Sequence, residues 1–457
     1  MIREYRTISK INGSILSVDG VAQVSAGQIC ELVQKSGETF PANVLEVSGE
    51  KATVVYSGNV PGICPDTSKV RFFGTFPHTA LSEDVLGRAL DGTGKPMDNG
   101  PPILAEAYGS ISAQSAHSVV QSATRPFIQT GISAIDALNT LACGQKLAVF
   151  SEPGLPNIKL AMQIAKQSKT LGSESDKFVV IFAGIGMSQA QAAEVISGLN
   201  SGKIISSAAA FINTASDPVP ERLQTPLIAL TNAEYLANEK GMNVLVILFD
   251  MTNYCDALRE VSALQQKRHD EYGYPLNMHL DLAAIFQRAG KLENSRGSVT
   301  ILSMLTTPGG DVSHPIPIAM SAAADGKIVL SRELYKKGIS PPVDVFSSTS
   351  YFREKSTGAF KTREDHAELV DQLVDAYQRG ITAIDNISRF GKRELTESNL
   401  LYARFADGFE HRFINQKQDE ERLIGETLDL GWDLLSSLPK DDFKRVAPQM
   451  ITRYMPI

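Results

Sequence analysis

The sequence predicts an α/β protein of several domains: an N-terminal β-barrel, a central domain on a parallel sheet, and a C-terminal helical domain. Three observations support this prediction. Turn signals separate short strands in residues 1–75, apolar runs alternate with helical periods in residues 76–355, and helical spacing dominates residues 356–457. A chain of 457 residues is long enough for two or three domains, each with a core of its own.

The N-terminal part carries strand and turn patterns. Apolar residues alternate with polar ones on both sides of Ser48-Gly49-Glu50, which indicates a β-hairpin. Asp19-Gly20 and Ser57-Gly58 are further turn signals. Several such strands within about 75 residues predict a small β-barrel.

The central part contains apolar runs of strand length, separated by helical patterns and by Pro/Gly loops. The runs are Leu147–Phe150, Phe178–Phe182, Ala208–Ile212, Val244–Phe249 and Val299–Leu305. Runs of this kind predict parallel strands that are covered by helices on both faces.

The C-terminal part has little strand signal. One helical pattern contains Leu369, Leu373 and Tyr377, and a second contains Phe405 and Phe409. These spacings predict a helical bundle.

A phosphate loop with altered residues stands between a buried strand and a helix. A working P-loop reads G-x-x-x-x-G-K-[ST], in which the lysine neutralises phosphate and the hydroxyl binds Mg²⁺. Here Gly154 is kept, but Asn157 stands at the lysine position and Ile158 at the hydroxyl position. An isoleucine cannot bind a hard cation that prefers oxygen. The central domain is therefore predicted to be P-loop-type (RecA-like), with a degenerate loop.

The candidate nucleotide site is weak or vestigial, and its residues are Gly154, Leu155, Pro156, Asn157, Lys159 and Asp250. Asp250 follows an apolar run, where a Walker B aspartate would hold Mg²⁺; the alternative is an ordinary aspartate at a strand end. Lys159 lies two positions past the expected lysine. It either reaches a phosphate through a bulged loop or is a solvated lysine in the first turn of a helix. Ile185 occupies the position at which catalytic relatives carry glutamate, so the isolated chain is predicted to be inactive.

Composition excludes other classes of function. The net charge of −7 argues against a general nucleic-acid binder. Four scattered cysteines predict neither a disulfide framework nor a zinc site, and they fit a reducing compartment. His314 is a lone histidine among turn residues, so no metal site is expected. The first ten residues are too polar for a signal peptide, and the longest apolar strand is far shorter than the ~18 residues of a membrane span.

Several strings of the sequence resemble one family, the non-catalytic B subunit of V/A-type rotary ATPases. They include Ser82–Arg88, Gly92–Pro96, Gly100–Pro102, Ile128–Asp136, Gly154–Pro156, Ala233–Ala237, Val246–Glu260, His314–Pro317, Ile328–Arg332 and Pro341–Pro342. The similarity extends through almost the whole chain. The Gly154-Leu-Pro156 replacement of the P-loop is specific to this subunit.

The resemblance implies a regulatory subunit that alternates with catalytic A subunits in a hexameric ring. Mg-ATP or ADP would bind at the A–B interfaces, in pockets formed mainly by A. Other expected partners are the central-stalk and peripheral-stalk subunits. The expected location is the cytoplasmic face of a membrane, peripheral, with membrane contact only through an ion-translocating sector that moves protons or sodium ions.

One segment departs from the family, in which a Ser-Arg pair after the Pro-Pro turn supplies an arginine finger to the neighbouring site. Here the matching pair is Ser350-Tyr351, and Arg353 lies two residues further on. Arg353 shares a face with Tyr351 if the segment is extended, but not if it is helical. A possible contribution in trans from Ser350, Tyr351 and Arg353 stays open.

Three functional hypotheses follow. The first is the non-catalytic ring subunit. The second is a self-sufficient NTPase that uses a redirected Lys159. The third is a divergent B-like scaffold in a slow or inactive ring, which Tyr351 suggests.

Overall fold

The structure is a computed structural model that describes residues 2–56, 63–111, 125–171, 177–200, 206–265, 267–292, 295–359, 361–390 and 396–456. The chain divides into two compact units. The first comprises Met1–His117, Ile181–Glu239 and Leu248–Arg288. The second comprises Ser118–Val180, Lys240–Ile247 and Ala289–Ile457.

The N-terminal part of the first unit is an antiparallel sheet that forms a half-barrel. Its strands are β1 (Arg3–Tyr5), β2 (Ile8–Asn12), β3 (Ile15–Asp19), β4 (Ile29–Val33), β5 (Thr39–Ser48), β6 (Lys51–Tyr56) and β7 (Lys69–Phe72). They lie in the order β1-β7-β4-β5-β6-β3-β2. The predicted N-terminal β-domain is confirmed in this form.

The half-barrel is held together by alternating apolar side chains. Leu16, Val18 and Val54 are fully buried in its core, and Val54 is paired with Leu16 in the register of β3 and β6. Ser48 pairs with Lys51 across the β5–β6 turn, where Gly49 has a φ of +59° that favours glycine. The predicted hairpin at Ser48-Gly49-Glu50 is thus confirmed, whereas the predicted Ser57-Gly58 turn lies outside the described residues.

Thirteen further strands are described along the rest of the chain. They are β8 (His78–Leu81), β9 (Ala89–Asp91), β10 (Ala107–Ser110), β11 (Phe127–Gln129), β12 (Leu141–Ala142), β13 (Lys146–Ser151), β14 (Lys169–Thr170), β15 (Phe178–Met187), β16 (Ala208–Thr214), β17 (Asn243–Phe249), β18 (Ser298–Thr306), β19 (Gly326–Leu330) and β20 (Val343–Ser350). Every apolar run that the sequence analysis predicted to be a buried strand lies in one of them.

Pairing in the central part is mainly parallel. In the first unit, β16 pairs with β9 in parallel, and β8 pairs with β10 in antiparallel fashion. In the second unit, β13 lies between β18 and β19 and is parallel to both. The edge strand β20 is antiparallel to β19. The sheet is therefore mixed, and the loop after β13 lies at the carboxyl end of a central strand, where α/β sheets commonly bind ligands.

The helices are α1 (Ser133–Asp136), α2 (Asn157–Gln167), α3 (Gln189–Asn200), α4 (Val219–Asn238), α5 (Met251–Leu264), α6 (Met278–Phe286), α7 (Pro315–Ala323), α8 (Arg332–Lys336), α9 (Arg353–Ser356), α10 (His366–Phe390), α11 (Glu397–Gly408), α12 (Ile424–Leu435) and α13 (Pro448–Tyr454). None of the helices in the described ranges combines the length and the apolar character that a membrane crossing requires. The predicted boundaries near residues 75 and 355 stay predictions.

The C-terminal part of the second unit is helical, as predicted. Helix α10 packs on α11 where Gly380 leaves room, since a Cβ built there would stand 2.4 Å from the carbonyl oxygen of Tyr402. A π-helical turn, Phe409–Ile414, follows α11. It stacks Phe409 on Phe413 with ring centroids 4.9 Å apart. The second helical pattern of the sequence is thus partly π-helical, and both phenylalanines are buried.

Candidate functional site

The degenerate loop runs from the end of β13 to the start of α2 and is closed by two tight turns. The N–H of Leu155 donates to the carbonyl of Glu152 at 3.2 Å, and the N–H of Asn157 donates to the carbonyl of Leu155 at 2.8 Å. Between the latter two, Pro156 has φ −80° and ψ 51°, which is an inverse γ-turn. Gly154 has a φ of +84°, which favours glycine at that position.

At five positions of this loop the backbone N–H is either bonded within the loop or absent. A P-loop cradles phosphate with successive backbone N–H groups. Here Pro153 and Pro156 have no N–H, and those of Leu155 and Asn157 are bonded within the loop. The N–H of Ile158 donates to Oδ1 of Asn157 at 2.8 Å. These five positions therefore offer no backbone donor to a phosphate.

Asn157, at the position of the P-loop lysine, is held by both ends of its amide. Its Oδ1 accepts from Ile158, and its Nδ2 donates to Oγ1 of Thr306 at 3.0 Å, at the end of β18. The side chain thus ties the start of α2 to the neighbouring parallel strand. It serves the structure of the loop and is not directed toward a ligand.

An ion pair closes the other side of the loop. Nε of Arg332 lies 2.5 Å from Oε2 of Glu152, and Nη2 of Arg332 donates to the carbonyl of Pro153 at 2.7 Å. The two side chains are 39% and 38% exposed, so solvent reaches the pair. Glu152 and Arg332 form what is called below the loop clamp.

The remaining candidates of the nucleotide site are Lys159 and Asp250. Lys159 is in the first turn of α2, and its side chain is exposed. Asp250 belongs to the first unit, whereas the loop belongs to the second. It is 6% exposed and caps α5, with its Oδ1 accepting from the N–H of Thr252 at 2.9 Å.

Two further residues that the sequence analysis considered, Ile185 and His314, are buried and hydrogen-bonded within the protein. Ile185, at the position of the catalytic glutamate, is fully buried in β15. Its carbonyl accepts from Nδ2 of Asn253 at 2.8 Å. His314 is nearly buried and caps α7 by accepting from the N–H of Ile316. Within the described ranges, no group of three or more His, Cys, Asp or Glu side chains could hold a metal ion.

The segment with the possible trans contribution changes conformation after Ser350, the last residue of β20. Oγ of Ser350 accepts from Nε2 of Gln145 at 2.9 Å, and Tyr351 is 76% exposed. Arg353 begins α9 rather than continuing a strand, and its Nη2 contacts Oδ1 of Asp371 at 2.7 Å. The segment therefore exposes the tyrosine and directs the arginine to α10.

Comparison with known proteins matches this architecture. The model of the ATP synthase alpha/beta family, nucleotide-binding domain, matches residues 131–350. The model of the C-terminal domain of V and A type ATP synthase matches residues 355–455. A solved structure described as a unique ATP synthase subunit, NeqB, from Nanoarcheaum equitans is 33% identical. It covers 93% of this chain and 100% of its own, with a TM-score of 0.74.

The chain belongs to the V/A-type ATP synthase subunits. The resemblance drawn from the sequence strings is confirmed at this level, and so is the predicted order of barrel, α/β and helical parts. The matched nucleotide-binding domain also contains the degenerate loop and its clamp.

In this ATP synthase subunit, the matched domain begins at a rigid turn. The buried carboxylate of Asp136 accepts from the N–H and Oγ1 of Thr130 at 2.8 and 2.7 Å, and from the N–H of Gly131 at 2.8 Å. Burial raises the pKa of Asp136 to about 7, while these donors act in the opposite direction. Gln416 secures the same turn by accepting from the N–H of Ser133 at 3.1 Å.

Sequence reasoning found the altered residues of the ATP synthase loop but missed its clamp. Glu152 and Arg332 are 180 residues apart in sequence. Each lies in a stretch that was noted for another feature: the altered phosphate loop and the string Ile328–Arg332. The available signal was a carboxylate two residues before the loop glycine, where a phosphate would be repelled. That signal identifies Glu152, but it does not identify its partner.

Proposed function

We propose that this ATP synthase subunit is the non-catalytic, regulatory B subunit of a V/A-type ion-translocating rotary ATPase or ATP synthase. It alternates with catalytic A subunits in a hexameric ring and completes the ATP sites at the A–B interfaces. The observation that carries this proposal is the degenerate loop, in which Leu155 and Asn157 bond their N–H groups internally and the lysine position is an asparagine tied to Thr306.

The proposed cofactor is Mg-ATP or ADP at the A–B interfaces, with a weak or vestigial site at most in the loop of this chain. Ile158 offers no oxygen to Mg²⁺. Asp250 already uses one carboxylate oxygen to cap α5. Lys159 is exposed on a regular helix, so the redirected lysine of a self-sufficient NTPase has no support in the loop geometry.

The proposed partners are the A subunit and the central-stalk and peripheral-stalk subunits. The proposed location is the cytoplasmic face of a membrane, peripheral, where contact with the bilayer comes only through the ion-translocating sector. A net charge of −7 supports protein partners rather than nucleic acid.

Co-expression with a catalytic A subunit tests this proposal. We expect a mixed ring with equal copy numbers in native mass spectrometry, ATP hydrolysis by the ring, and no hydrolysis by the isolated chain. A chain that stays monomeric beside its A partner would contradict the proposal. Turnover by the isolated chain that is abolished by Lys159→Ala would establish the NTPase alternative.

A second candidate function is a divergent B-like scaffold in a slow ring. Two observations favour it: Tyr351 is exposed at the position of the finger, and Arg353 is paired with Asp371. An arginine finger contributes roughly 10³–10⁵ in rate. A large gain from Tyr351→Arg in the reconstituted ring would support the slow-ring function, and no gain would show that another cation already acts. Tyr108→Arg, at a 72% exposed tyrosine of β10, is the matched control.

A further inference from the structure

We propose that Glu152 is an internal anion that masks a binding site for phosphoryl oxyanions, and that Arg332 is the cation of this site. The proposal deepens the non-catalytic role proposed above and rests on it, because it names the contact that would keep phosphate out of the degenerate loop. The loop clamp is then an autoinhibitory contact within one subunit.

The geometry of the guanidinium is that of an oxyanion receptor already in use. Arg332 directs Nε to a carboxylate oxygen of Glu152 and Nη2 to the carbonyl of Pro153, at 2.5 and 2.7 Å. Two parallel donors are the usual way in which arginine holds carboxylate or phosphate. With 39% of its side chain exposed, the guanidinium is within reach of a solute.

The side chain of Glu152 lies near the loop that follows β18. Gly310, with a φ of +74°, lies beside it, and a Cβ built there would stand 3.5 Å from the carboxylate carbon and Oε2. The N–H of Thr307 donates to the carbonyl of Ser151 at 2.8 Å. This bond holds the start of the loop after β18 against the end of β13. Glu152 therefore stands between Arg332 and the Gly310 loop, with part of its side chain open to solvent.

The ionisation of Glu152 determines the net charge that an anion meets at the loop clamp. With Glu152 ionised, the clamp has no net charge, and an incoming polyanion meets a carboxylate beside the guanidinium of Arg332. Without that carboxylate, the same position carries a net positive charge, which attracts an anion most strongly at low salt. Since exposed ion pairs contribute little to folding, the protein should tolerate the change.

Calorimetric titration of the full chain with inorganic tripolyphosphate at low salt tests the proposal. We expect Glu152→Gln to bind roughly tenfold or more tightly than the wild type. The double variant Glu152→Gln/Arg332→Gln should lose this gain. Glu333→Gln is the matched control, because it makes the same change in net charge at the exposed neighbour of Arg332.

A parallel titration with ADP separates the two sources of the oxyanion. A gain with both titrants assigns the site to nucleotide phosphates, and a gain with tripolyphosphate alone assigns it to free phosphates; each supports the masked site. Glu152→Gln binding no more tightly than Glu333→Gln would overturn the proposal, as would a gain that survives Arg332→Gln. No A subunit is present in these titrations, so a failure of ring assembly would be a separate result.

Discussion

Replacing Asp365 by asparagine should destabilise the C-terminal helical part by up to about 3–5 kcal/mol, because it leaves a largely buried cation with only a solvent-exposed counter-charge. Asp365 is fully buried. Its Oδ1 lies 2.6 Å from Nε of Arg363, and its Oδ2 accepts from Nη2 of Arg363 at 2.9 Å and from Nε1 of Trp432 at 2.6 Å. Only 21% of the Arg363 side chain is exposed, so water replaces the lost partner poorly.

The same arginine supplies the matched control. Nη1 of Arg363 also contacts Asp429 at 2.5 Å, but the Asp429 side chain is 70% exposed. Asp429→Asn should therefore cost at most about 1 kcal/mol. The chain has a single tryptophan, and Trp432 lies inside this network. Urea unfolding followed by its fluorescence measures both variants locally. If Asp365→Asn lost no more stability than Asp429→Asn, burial would not govern this network and the reasoning would be refuted.

Two further predictions concern α10. Burial lowers the pKa of His366 from 6.5 to about 4, so the unfolded chain takes up a proton first as pH falls below 6.5. Unfolding at pH 4.5 should then show a loss of about 2–3 kcal/mol relative to pH 8, and His366→Gln should remove this part of the pH dependence. Gly380→Ala should destabilise by about 1–3 kcal/mol, since its Cβ would lie 2.4 Å from a carbonyl oxygen. Gly408→Ala, whose Cβ would meet only a Leu434 methyl at 3.6 Å, should be neutral or stabilising in the same thermal melts.

Much of the fold could be predicted because its signals are local. Apolar runs such as Leu147–Phe150 lie in buried strands, since a strand covered on both faces needs no polar alternation. The Ser48-Gly49-Glu50 turn was predictable for a similar reason, because Gly49 takes up a positive φ. The sequence could not show that Phe409–Ile414 forms a π-helical turn, because a spacing of four residues fits both kinds of helix.

The sequence showed which P-loop residues are missing from the candidate site, but it did not show the contacts of the residues that replace them. Asn157 and Ile158 were recognised because the P-loop chemistry requires particular residue types at those positions. Their new partners were not, since Thr306 is 149 residues away in sequence. The orientation of Arg353 depended on whether its segment is extended or helical, and that is decided by packing against α10 rather than by local pattern. Whether these residues act in a ring stays a prediction.

The hydrogen bonds within the loop also limit what a single substitution could restore during evolution. A mutation that put lysine back at Asn157 would restore neither the hydroxyl at Ile158 nor the N–H groups missing at Pro153 and Pro156. It would also break the amide contacts that now start α2, and Glu152 would still stand beside the glycine. No single one of these reversions would give the loop the cation, the hydroxyl and the backbone donors of a working P-loop. Descendants of this chain would therefore need several coordinated substitutions to gain that chemistry in this loop.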